Sequence, residues 1–199
     1  MFRSVLATIL TAGLLTSSAA PVSASTPARP GNSLDAHAEL VDTLTDAGVR
    51  VYFNPSVCKP EDGLNPSGFY ISQSRQLVVC QDAGKYDGEL VPFTANDLDT
   101  IRHEAQHVVQ DCIDGIGDNS LVNMFPVSED KDRLSLRQFV SGSGLSPQTL
   151  MHIFTTYTAA GADSHVLGLE FEAFAVAHAI PAADIAQAVE KACAVNINN

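Results

Sequence analysis

The segment His103-Glu104-Ala105-Gln106-His107 carries the most chemical content of this 199-residue chain. Two histidines four residues apart on a helix lie one above the other, so both imidazoles can reach a single metal ion. Glu104 projects from the adjacent face, where its carboxylate can reach a metal-held water without being a ligand. Zinc lowers the pKa of such a water from about 15.7 toward ~7, and a neighbouring carboxylate can take its proton as it attacks a carbonyl. Five residues therefore supply two ligands and a general base for metal-assisted hydrolysis with one zinc ion.

A hydrolytic zinc site takes three protein donors and leaves the fourth position open. The third donor must come from elsewhere in the chain. Glu170 and Glu172 stand in the otherwise apolar run Val166–Ala177. An isolated carboxylate buried in such a helix is costly unless paired, and a metal is one such partner. Residues two apart on a helix point about 200° away from each other, so one of the two glutamates should face the site. Both remain candidates on this evidence, unless the pair lies on a solvated edge.

The elements that must position these groups can be read from periodicity. Leu98, Ile101, Ala105, Val108 and Cys112 recur at steps of three and four, predicting an amphipathic helix from a cap at Thr94 or Asn96 to about Cys112, with the histidines on another flank. Upstream, a first helix is expected after Asn32 or Ser33, with Leu34, Val41 and Leu44 inward and Gly48 as its stop. Strands are expected at Val49–Phe53, Phe69–Ser72 and Leu77–Gln81, separated by a loop from Cys58 to Gly68 and a polar turn. Leu77–Gln81, if a sheet edge, could accept an extended peptide. Residues 114–147 read as mostly loop, with a short helix near Leu134–Val140. Three helices should follow at about 147–159, 164–179 and 182–194, the last two parted by Pro181.

At its start the chain reads as an export signal. Arg3 precedes the apolar run Val5–Leu15, and Val22-Ser23-Ala24 offers the small residues of a cleavage site, placed after Ala24. The expected organisation is a signal over 1–24, a Ser/Pro/Gly-rich mature N-terminus over 25–32 and one domain over 33–199. The net charge of −12 argues against nucleic acid and, once the signal is removed, against an anionic membrane surface as partners. All four cysteines follow the signal, so two disulfides are expected of a secreted or periplasmic chain. Of three possible pairings, Cys58–Cys80 would staple a loop to a strand and Cys112–Cys193 would tie two helices, each worth roughly 3–4 kcal/mol. No CxxC pair suggests cysteine ligation.

His103 to His107 together with Glu170-Phe-Glu172-Ala173-Phe174 resembles the gluzincin branch of the zincin metallopeptidases, where HExxH is followed by a helix bearing Glu-x-x-x-Asp. The other common solution, a histidine six residues after the second with a glycine midway, is absent, because Gln110 and Ile113 occupy those positions. The resemblance implies Glu170 as third ligand, with Glu172 as runner-up because Phe174 stands where the family often has its Asp. It implies an α+β minimal zincin-like domain: a small β-sheet, an active-site helix and a C-terminal helical part. It also implies a peptide or protein substrate. Zincins often aim a Tyr or His at the developing oxyanion, which makes Tyr157 a candidate catalytic residue and His165 a second. His178, two turns beyond Glu170, is expected to be partly buried and satisfied, whereas His37 and His152 offer no constellation. Two rivals remain. One is an exported metal-binding or pseudo-enzymatic domain that binds a partner; the other is a disulfide-stapled domain without metal.

Overall fold

A computed structural model of the chain describes residues 31–60, 65–115, 120–125 and 130–194; the expected signal, its cleavage site and most of the expected mature N-terminus lie outside them. The described chain is α+β, with six helices and a three-stranded sheet. Helix α1 (Leu34–Asp46) starts where Ser33 caps it, the hydroxyl accepting from the Ala36 N–H. Its inward stripe is Ala36, His37, Leu40 and Leu44, whereas Leu34, expected inward, is 59% exposed. The first position of this helix lies off the edge of the core. Gly48 follows at φ +84°, the left-handed conformation that lets the chain reverse into a strand.

Strands β1 (Arg50–Phe53), β2 (Gly68–Ile71) and β3 (Gln76–Val79) form the sheet in the order β1-β3-β2, with β1 parallel and β2 antiparallel to β3. The strand that could have accepted a peptide had it been an edge is therefore the centre. Leu77, Val78 and Val79 are buried on both faces of β3, which is why that segment is uninterrupted hydrophobe rather than alternating. Beyond the strands, the Asn54 side chain accepts from the Gln81 N–H and donates to Gln81 Oε1 and the Glu89 carbonyl, so a buried amide pair holds the ends of β1 and β3 together. The Cys58–Cys80 disulfide closes the same end.

Helix α2 (Ala95–Asp114) is the axis of the molecule. Of its two candidate caps Thr94 is used, in a reciprocal box in which the Thr94 hydroxyl accepts from the Asp97 N–H and the Asp97 carboxylate accepts from the Thr94 N–H. Every residue from Thr100 to Cys112 is buried, so the helix is enclosed rather than two-faced. Its polar flank is thus forced to find partners inside the protein. Helix α3 (Asp130–Gly142) is longer than the short helix expected in that region, and α4 (Pro147–Ala159), α5 (Ser164–Ala179) and α6 (Ala182–Ala194) follow. α2 packs mainly against α5 and α6, while α1 packs against α6. Leu40, Leu44, Leu77, Ile101 and Ile185 are at most 1% exposed; each contributes about 1.5–3 kcal/mol by its burial. The Cys112–Cys193 disulfide ties the end of α2 to α6, so both favoured cysteine pairings are formed.

Candidate metal centre

His103 and His107 reach the interface of α2 and α5 from successive turns of one helix, and Glu170 meets them from the other. The two Nε2 atoms lie 3.2 Å apart. His103 Nε2 is 3.3 Å from Glu170 Oε2, and His107 Nε2 is 3.6 Å from Glu170 Oε1. Donors about 2.1 Å from a zinc ion at tetrahedral angles are separated by about 3.4 Å, so these spacings suit one small cation. The chemistry of the atoms suits it as well. Both Glu170 oxygens are buried without a hydrogen bond among the described residues, and leaving a dry carboxylate in that state is costly. Imidazole nitrogens and a carboxylate oxygen form a common zinc donor set. The three residues could hold a metal ion.

Electrostatics without an ion follow from the crowding. Burial alone would raise the Glu170 carboxyl, but His107 and His103 hold it well below the ordinary carboxylate range. Burial alone would depress His107; the Glu170 charge, its contact and the Glu104 charge outweigh that and lift the imidazolium to about 9. Glu104 is raised by burial, partly opposed by His103 and His107.

Glu104 points toward β2, where the Tyr70 backbone faces its carboxylate and its Oε2 has no hydrogen bond among the described residues. Gly68 permits that approach. A Cβ there would stand 2.6 Å from Thr100 Cγ2, 2.8 Å from the Val78 carbonyl and 3.4 Å from Glu104 Cγ. Tyr70 fixes the strand further along, donating its hydroxyl to Asp111 Oδ2 at 2.7 Å, one turn beyond His107. The buried Tyr157 on α4 lies beside Glu170 and close enough to Glu104 to feel its charge; burial first, then these two carboxylates, raises its phenol.

Glu172 takes a different course. It is fully buried, not at a solvated edge, and faces away from the three donors. Its carboxylate accepts from Gln106 Nε2 and Gln110 Nε2, both at 2.9 Å, and from the Phe125 N–H at 3.2 Å. Gln110 Oε1 in turn contacts His107 Nδ1 at 2.7 Å. Phe174 stacks edgewise on the His103 ring, centroids 4.4 Å apart. His165 is outside the cluster, its Nε2 on the Leu121 carbonyl at 2.8 Å. His178 is exposed beside Gly144 rather than partly buried. His37 does belong to a constellation: it is buried, with Nδ1 on the Ser33 carbonyl at 2.8 Å and Nε2 receiving Arg102 at 2.7 Å, while Arg102 also pairs with Asp99.

Reasoning from sequence used Gln110 only to exclude a third histidine, and missed that it touches His107. Their spacing of three along a helix was the available signal.

A family model described as a domain of unknown function (DUF8637) matches residues 20–138, more than half of the chain. The protein belongs to that family. The DUF8637 match contains His103, Glu104, His107 and Gln110 but ends before Tyr157, Glu170 and Glu172. No curated protein and no solved structure matches the chain.

Proposed function

We propose that this DUF8637 member is an exported zinc-dependent hydrolase that cleaves peptide bonds, with His103, His107 and Glu170 as ligands. The observation that carries the reading is the convergence of these three donors at spacings suited to one zinc ion, with Glu104 on the same helix. Zinc at this place would supply Lewis acidity, acidifying a water and polarising a carbonyl. Glu104 accepts the proton of the attacking water and returns it to the leaving amine. The Tyr157 phenol donates to the oxyanion that develops on the carbonyl. Two intramolecular disulfides are compatible with an oxidising compartment, which agrees with export by the N-terminal signal. No helix among the described residues is long and apolar enough to cross a membrane.

One observation favours a second reading. His103, Glu104, His107, Tyr157 and Glu170 are all at most 5% exposed, a closure suited to a structural metal site or a pseudo-enzymatic domain that binds a partner. Three donors rather than four among the described residues, and a carboxylate outside the donor set, speak for catalysis.

The test is zinc content of the dialysed, disulfide-intact protein, followed by cleavage of an unstructured protein such as casein by wild type and Glu104→Gln. One zinc per chain, with cleavage reduced roughly 10²–10⁴-fold in Glu104→Gln at unchanged zinc content, is the expected result. Zinc without cleavage supports the second reading. No zinc after adding it back overturns both.

A further inference from the structure

We infer that Glu172 and Gln110 are positioning residues that fix His107 with its proton on Nδ1 and its Nε2 lone pair directed at Glu170 and His103. The inference rests on the metal reading and adds to it the part of the chain that decides which nitrogen of His107 is offered.

A neutral imidazole has one donor and one acceptor nitrogen, and the group bonded to one nitrogen sets the role of the other. The contact to His107 Nδ1 is a side-chain amide, which could present either its oxygen or its NH2. An ionised carboxylate can only accept hydrogen bonds. Glu172, fully buried and 2.9 Å from Gln110 Nε2, therefore demands the NH2 end of Gln110. The Leu169 carbonyl, 3.3 Å from the same nitrogen, demands it too. The oxygen of Gln110 is left for His107 Nδ1, which must carry the proton. Gln106 Nε2 and the Phe125 N–H hold the carboxylate from two further directions, so it cannot swing toward His107 itself. Metal-bound histidines commonly donate their second N–H to a fixed acceptor, and losing it weakens binding roughly 10–100-fold. His103 has no such partner: its Nδ1 is buried without a hydrogen bond among the described residues, and Phe174 packs on the ring. The orientation of the pair thus depends on His107.

A purely structural role, in which Glu172 only pins α5 and the Phe125 segment to α2, predicts lower melting temperatures and nothing else. The experiment measures zinc affinity by competition with a chromophoric chelator, and exchange of the His107 Nδ1–H by imidazole ¹⁵N–¹H spectroscopy of the zinc-loaded protein. Gln110→Leu removes the acceptor, and Glu172→Gln keeps its shape but leaves only the longer 3.3 Å Leu169 contact to dictate which end of Gln110 faces it. Each is expected to weaken zinc binding roughly 10–100-fold and to expose the Nδ1–H to exchange. Gln106→Leu removes a donor to Glu172 without touching His107, and should leave that proton protected. The exchanged pair Gln110→Glu with Glu172→Gln keeps an acceptor beside His107 and a donor behind it, and should recover affinity.

If Gln110→Leu does not fold, the isosteric Glu172→Gln carries the test. Wild-type zinc binding with unchanged affinity and Nδ1–H protection in the folded variants overturns this inference alone. A wild type that binds no zinc overturns the metal reading and this inference with it.

Discussion

Tyr157, the proposed oxyanion donor, contributes nothing to the three-donor set, so the two proposed roles can be separated by removing one oxygen. Tyr157→Phe is expected to keep one zinc per chain and to lower kcat by about 10²–10³, the usual effect of deleting one oxyanion donor, with KM little changed. Protons and metal compete at His107. In the metal-free protein its imidazolium is held to about 9 against an ordinary 6.5, with Glu170 and Glu104 overcoming the effect of burial. A raised folded-state value stabilises the fold fully below pH 6.5, and that contribution is lost as pH rises through about 9. The melting temperature of metal-free protein should therefore fall between pH 6.5 and 9. A zinc ligand must be deprotonated, so the gain in melting temperature on adding zinc should grow over the same interval. Parallel melting curves with and without zinc across this range would show that His107 takes no part in binding.

At the scale of elements, the approach of β2 to α2 places the Tyr70 backbone against Glu104, and the missing side chain of Gly68 makes it possible. Gly68→Ala would put a methyl group against backbone oxygen and Thr100, an overpacking that costs typically 1–3 kcal/mol. Denaturant unfolding should report a loss of that size. Activity should fall further than stability, because the strand that yields is the one beside Glu104, the proposed general base; an activity loss no greater than the unfolded fraction would contradict this. The same packing explains why an enclosed α2 tolerates so many polar groups. Thr94 and Asp97 satisfy its first turn, Arg102 reaches the Ala177 carbonyl at 2.8 Å, and Gln106 and Gln110 bond across to α5. Arg102, Gln106 and Gln110 thus use their partners to join the helix to other elements.

For the molecule as a whole, the Cys112–Cys193 disulfide and the three-donor cluster lie at different places along α2. Cys112–Cys193 spans 81 residues, and closing a loop of that length stabilises a fold by about 4 kcal/mol in the chain-entropy account. Removing it with Cys112→Ala and Cys193→Ala together should lower stability by an amount of that order, while the folded fraction still binds zinc, since the ligands lie on earlier turns of α2 and on α5. Loss of zinc from the folded double variant would mean that the disulfide also sets the spacing of α2 and α5.

The sequence by itself determined the last three helices, the α+β class and the short list of chemically able residues, and it favoured, among three possible pairings, the one the cysteines form. Local periodicity, caps and breakers act over a few residues, and HEAQH lies within one helix. Tertiary structure decided what depended on distant segments meeting. β3 became the central strand because β1 and β2 flank it. Leu34 turned outward because α1 meets the core one turn later. His37, without a visible constellation, found Arg102 across 65 residues. By residue type and setting alone Glu170 and Glu172 are two like carboxylates in one apolar helix, and only the family resemblance favoured Glu170. The rotation of α5 against α2 gave one to the histidines and the other to two glutamines. That rotation is set by the packing of the whole helical layer, a global minimum that no local pattern of residues encodes.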